Sequence, residues 1–197
     1  MQEAALLKRI RTRGMIREVK TIGIIGTGSG NGVTTLALLL AVTLRRQRKR
    51  TALLELSGHG DMEKMEQEEG LAEDQPARSF AWNGIRIFKN AGKDQIAEAL
   101  NSGAEYCILD FGHDRRWIQD EFLRCGRKII VGSMTAWKRE ETRQFTEEYA
   151  SAAGAREWRY VFTFGDRGMG HGFLPIPYEP DPVHCAEKTA AILSRLL

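Results

Sequence analysis

A chain of 197 residues, 42% hydrophobic and 28% charged, has the length of one domain and the composition of an ordinary globular protein, not of a disordered or fibrous one. Its formal charge of +3 is too small to argue for a nucleic-acid partner by itself. The three cysteines, Cys107, Cys125 and Cys185, are odd in number and lack metal-ligand spacing, which argues against a disulfide framework and suits the reducing cytoplasm.

The N-terminal "MQEAALLKRIRTRGMIREVK" is basic and has no apolar signal core. Residues 1–18 are expected to form an amphipathic arm, for a partner, a membrane surface or a preceding domain, ahead of a single domain over 19–197. No apolar stretch has the length of a transmembrane segment.

From there the chain alternates. "TIGIIG" predicts a first strand, and Val33 to Arg48 a helix ending in the basic run "LRRQRKR". "TALLEL" predicts a second strand. The acidic stretch 59–79 predicts a loosely helical, solvated excursion. "IRIFK" is a weaker strand, followed by a helix from Asp94 to Asn101. "YCILDF", a helix from Arg116 to Leu123, "KIIVG", a helix from Lys138 to Ala152, and "YVFTF" continue the alternation. The Gly- and Pro-rich 165–182 predicts irregular chain, and Pro182 to Leu197 a last helix. The strand runs are almost continuously apolar, as strands covered on both faces are. The pattern predicts an α/β fold: a mostly parallel sheet with helices on both faces, a three-layer sandwich of the P-loop NTPase kind. Ligands on such sheets lie beyond the carboxyl ends of the strands.

The loop after the first strand, "GTGSGNGVTT" at residues 26–35, has the layout of an anion site. Glycines allow successive N–H groups to turn inward, and a helix N-terminus adds partial positive charge. A Walker A loop reads G-x-x-x-x-G-K-[ST]; here Thr27 stands at the first glycine, Val33 at the lysine and Thr34 at the metal-binding hydroxyl.

The loop resembles the deviant Walker A motif K-G-G-x-G-K-T-T of the MinD/ParA family. Gly28 falls at the signature lysine, Ser29 and Gly30 at the two glycines, Asn31 at the variable position, Gly32 at the next glycine, Val33 at the second lysine, and Thr34 and Thr35 match. After the second strand "LLELSGHGD" places Glu55 and Ser57 where the family carries two aspartates, so the carboxylate on the catalytic side is a serine. "YCILDFG" supplies Asp110 as the Walker B-like aspartate. "KIIVGSMTAWKREETRQF" resembles the following segment, and "FLPIPYEPDP" the proline-bearing loop that borders the base. The order of elements also resembles the pilus-assembly branch related to CpaE and TadZ.

The resemblance implies an ATP or ADP site with Mg²⁺, cradled by Gly28, Ser29, Gly30, Asn31, Gly32, Val33, Thr34 and Thr35, with Thr34 and Asp110 at the metal. Both lysines are missing, and each charge-assisted hydrogen bond is worth about 1.5–3 kcal/mol, so ATPase activity is expected to be weak or absent and no catalytic residue is assigned. The expected function is a non-hydrolysing binding, scaffold or positioning factor. It would act with a protein partner or as a homodimer, or on DNA or a membrane surface through the basic segments. An enzyme using a substitute cation from Arg115, Arg116, Lys138 or a partner is the first alternative, and an interaction module with an empty loop the second. A dinucleotide-binding reading stays open on Glu55, which ends the second strand as a ribose-binding acid does, although Asn31 or Val33 stands where G-x-G-x-x-G needs its third glycine. The histidines His59, His113, His171 and His184 have no ligand spacing and read as surface or loop residues.

Overall fold

The computed structural model describes residues 18–74, 78–164 and 172–197. The expected arm at 1–18 therefore lies outside the described residues except for its last residue, as does His171. Eight strands form one sheet: β1 (Lys20–Gly26), β2 (Thr51–Glu55), β3 (Ser79–Trp82), β4 (Ile85–Phe88), β5 (Tyr106–Asp110), β6 (Arg127–Gly132), β7 (Arg159–Phe162) and β8 (Leu174–Pro175), in the order β3-β4-β2-β5-β1-β6-β7-β8. All neighbours are parallel except β3 and β4. The helices are α1 (Val33–Arg46), α2 (Asp61–Glu68), α3 (Lys93–Asn101), α4 (Arg116–Asp120), α5 (Arg139–Glu148) and α6 (Glu187–Ser194).

Alternate residues along each strand divide the core into two layers, because successive side chains leave a strand on opposite faces. Ile22, Ile24, Leu53, Ile108, Ile129 and Val131 pack on one side with α1, Met62 of α2 and Leu193 of α6. Ile25, Ala52, Leu54, Cys107, Leu109 and Ile130 pack on the other with Ile96 of α3, Ile118 of α4 and Phe145 of α5. The expected three-layer sandwich is the observed one. Helix α1 is buried along most of its length, from Val33 to Leu44, as a helix apolar on nearly every side must be. Its N-terminus sits at the carboxyl end of β1, at the centre of the sheet.

Several boundaries differ from the sequence reading. Helix α1 stops at Arg46, and Arg48 turns left-handed with φ 59°. Helix α4 is only Arg116–Asp120, followed by a 3₁₀ turn at Phe122–Arg124. Helix α6 begins at Glu187, five residues late, and docks on α1 through Leu193 and Leu196. The acidic excursion is more ordered than expected. Met62 and Glu66 of α2 are buried, and Glu66 and Glu73 pair with the buried Lys89. An acid that finds a buried lysine has a reason to fold inward. Burial alone would lower the Lys89 pKa, but the hydrogen bonds to the two carboxylates outweigh it and the value is raised. Strand β3 was not anticipated, although Phe80 and Trp82 point inward around an exposed Ala81.

Two of the five cations in the basic run at the end of α1 make contacts within the fold. Arg46 donates to the carbonyls of Val183 at 2.7 Å and Cys185 at 3.1 Å, and Arg50 lies 4.0 Å from Glu105. No helix among the described residues is long and apolar enough to cross a membrane.

Candidate phosphate-binding site

Strand β1 ends at Gly26, whose N–H donates to the Gly112 carbonyl at 2.7 Å; the next N–H, of Thr27, donates to Val131 at 3.0 Å. The loop is thus slung between the ends of β5 and β6. Gly30 and Gly32 take φ 67° and 86°, left-handed angles that turn the backbone back toward α1 and that glycine adopts without strain. The N–H groups of Gly28, Ser29, Gly30, Asn31 and Gly32 make no hydrogen bond among the described residues. Helix α1 has no side-chain cap and no acid in its first turn, so its first N–H groups are also available. Free N–H groups at a helix N-terminus are the donors that an anion site uses.

Side chains from distant elements hold the loop in shape. Thr27, at the first Walker A glycine, is buried, and its hydroxyl lies 3.1 Å from that of Thr142 and accepts from Asn31 Nδ2 at 2.9 Å. Thr163 Oγ1 donates to the Asn31 carbonyl at 2.6 Å. The Asn31 side chain is buried as a brace of the loop, and that of Val33 lies in the core against Gly26. Each therefore offers its backbone N–H to a ligand.

A cavity of about 300 Å³ opens over the loop, lined by Gly30, Gly32, Thr34, His59, His113 and Phe164 among others. The rings of His59 and His113 stack with centroids 5.4 Å apart. Asp110, at the end of β5, has no exposed surface. Its Oδ1 accepts from the Gly112 N–H at 2.9 Å, while Oδ2 makes no hydrogen bond among the described residues. Burial pushes this carboxyl up to about 6, against the Thr34 hydroxyl and the Gly112 N–H, which favour the ionised form.

Solved structures with this architecture were found, although no protein-family profile and no curated protein sequence matches the chain. A plasmid partition protein from Borrelia burgdorferi B31, bound to AMPPNP, superimposes with a TM-score of 0.62 at 13% identity, covering 91% of this chain and 98% of that one. The cell division protein MinD from Aquifex aeolicus gives 0.60 at 17% identity over 89% and 94%. Cobyrinic acid a,c-diamide synthase from Mycobacterium smegmatis, with bound ADP and magnesium, gives 0.56 at 12% identity over 90% and 91%. The chain has the MinD/ParA fold. At these identities the likeness is one of fold.

Within the MinD/ParA fold the candidate substitute cations separate. Lys138, preceding α5, reaches the loop, where its Nζ donates to the Ser29 carbonyl and lies 3.5 Å from Asn31 Oδ1. Arg115 and Arg116 do not come to the site. Arg115 pairs with Glu148 at 2.5 Å and lies over the Phe145 ring, and Arg116 pairs with Asp114 at 2.7 Å. A carboxylate also stands there: a Cβ on Gly28 would collide with Glu141 Oε2. Ser57 packs beside Gly112. The dinucleotide reading fails on Glu55. Its side chain has no exposed surface, and its two oxygens accept from the backbone N–H groups of Asp61 and Asn90 at 2.7 and 3.3 Å, so none is offered to a ribose.

Sequence reasoning missed His59 and His113 as a pair, and Glu141, Thr142, Thr163 and Phe164 as neighbours of the loop. His59 and His113 follow the strand runs "TALLEL" and "YCILDF", Thr163 and Phe164 end "YVFTF", and Glu141 and Thr142 come from the helix after "KIIVG". The available signal was that each belongs to a segment at or beyond the carboxyl end of a strand.

Proposed function

We propose that this protein binds a nucleoside di- or triphosphate at the loop after β1 and uses it as a structural or regulatory ligand, with little or no hydrolysis. The observation that carries the reading is the run of unpaired N–H groups from Gly28 to Gly32 leading into an uncapped α1. The residues fit Mg²⁺ as well: Thr34 and the unpaired Oδ2 of Asp110 would hold it, and the ion would neutralise phosphate charge. AMPPNP, and ADP with magnesium, occupy two of the structures of the same fold.

Weak hydrolysis follows from charge. Phosphoryl transfer needs cations fixed beside the charge that develops. Gly28 and Val33 supply none, and Glu141 stands close by with the opposite sign. The product of binding would then be a conformation presented to a partner, whether a protein, a second copy of the chain, DNA or a membrane surface. Lys138 on the loop supports a second reading, an ATPase with its cation supplied from β6–α5.

Calorimetric titration with ATP and ADP, with and without Mg²⁺, tests the proposal, alongside phosphate release. Saturable binding weakened by Thr34→Ala, with no turnover above buffer, is expected. No heat at millimolar nucleotide overturns the binding reading. Magnesium-dependent turnover abolished by Lys138→Met establishes the second one.

A further inference from the structure

At the opposite end of the sheet the amino-terminal ends of β6 and β7 enclose a concave surface of about 380 Å³ lined by Arg127, Lys128, Arg156, Glu157, Trp158 and Arg159. Four of those six side chains are cations and one is an acid. Arg127 and Lys128 open β6, and Arg159 opens β7 in register with Ile129. Arg156 comes from a 3₁₀ turn whose entry is the left-handed Gly154, φ 71°. Among the described residues Arg127, Arg156 and Arg159 make no ion pair, as is also true of Arg45, Arg48 and Arg139, but only here do three such arginines line one hollow. Four cations beside a single acid, Glu157, repel one another more than they are neutralised. A surface serving only solubility would intersperse the signs.

We infer that this basic hollow is a second anion site, taking a compact ligand with two or more phosphate groups. Guanidinium forks match phosphate oxygens two at a time, and three of them converge here. The volume is that of a small-molecule site. Beneath it the Trp158 ring is anchored in the core against Phe122 and Tyr149. A neighbouring depression shares Gly126 and Arg127 and adds Lys20, Glu18 and the Glu121-paired Arg124. Among the described residues the large exposed apolar side chains Trp137, Phe164 and Tyr178 line neither depression. Concavity favours a compact anion over a rigid duplex.

Titration with inorganic tripolyphosphate at fixed ionic strength tests the site, using wild type, Gly30→Val to disable the loop after β1, and Arg127→Gln with Arg159→Gln. Thermal melts establish that each variant is folded. Binding should persist in Gly30→Val and weaken about tenfold for each arginine removed, on the scale of one charge-assisted contact. Binding lost in Gly30→Val and unchanged in the double arginine variant overturns the inference by placing the anion at the loop. A single-stranded oligonucleotide or phosphatidylserine vesicles bound through the same arginines, with tripolyphosphate not bound, overturns the compact ligand in favour of a polymer or a membrane.

Discussion

Glu55 and Asp110 are register partners at the carboxyl ends of β2 and β5, two carboxyl side chains side by side with no exposed surface. Glu55 accepts from backbone N–H groups that follow β2 and β4, while one oxygen of Asp110 makes no hydrogen bond among the described residues. Burial, with Glu55 adding to it, raises the Asp110 pKa from 3.8 to about 6. The folded protein therefore holds this proton more tightly than the unfolded chain. The stabilisation is fully present below about pH 4 and is lost as pH rises through about 6. Asp110→Asn should stabilise the apo protein at pH 7.5 by up to about 3 kcal/mol and leave it nearly unchanged at pH 4, read as urea midpoints at the two values. If Asp110 takes part in holding Mg²⁺, millimolar Mg²⁺ should raise the melting temperature of wild type at pH 7.5 and not that of the variant.

The charges that α5 and its approach bring to the loop are opposite in sign and separable. Lys138→Met should weaken ATP binding about tenfold, the loss of one charge-assisted contact. Glu141→Gln should strengthen it severalfold by removing a repulsive neighbour. Calorimetry on both variants reads the two directions. Equal effects of the same sign would mean that the substitutions act on loop structure instead of on charge.

Restoring the missing lysines should not be equivalent at the two positions. Gly28→Lys displaces the mobile Glu141 carboxylate and then pairs with it, so it should gain little affinity unless Glu141→Gln accompanies it. Val33→Lys exchanges a buried core residue for a charge at the cavity wall. It should gain ten- to a hundredfold in ATP affinity at a cost of about 1–3 kcal/mol in stability. A double-mutant cycle at 28 and 141 measures the first point, and paired titration and denaturation the second.

Lys89 joins β4 to the acidic segment through Glu66 and Glu73. Lys89→Met would leave two carboxylates without their cation, one of them buried, a loss of about 3–5 kcal/mol. Denaturant unfolding checks the size. Adding Glu66→Gln should recover part of it, because one orphaned charge is removed.

The sheet was legible where strands are covered on both faces. "TIGIIG" and "YCILDF" could be little else, and the glycine loop is local enough to be read as one motif. Helix ends were overrun because what stops the helices is tertiary: the Arg46 side chain holds the Val183 carbonyl, for example, in the turn ahead of α6. Around the loop, no local pattern connects Thr27 with Thr142, 115 positions away. The same basic signal marked Arg115, Arg116 and Lys138, and only packing separates them, since Glu148 and Asp114 claim the two arginines.

Strand β1 begins at Lys20, on the rim of the basic depressions, and ends at Gly26, where the glycine loop starts. Its seven residues span about 23 Å at ~3.3 Å each, against a Debye length of about 8 Å at physiological salt. Charge arriving at one end is screened from the other. Ligands at the two ends would bind as though on separate molecules, with additive free energies, unless β1 itself shifts between β5 and β6. Any measured coupling between them would therefore report movement of the sheet, not electrostatics.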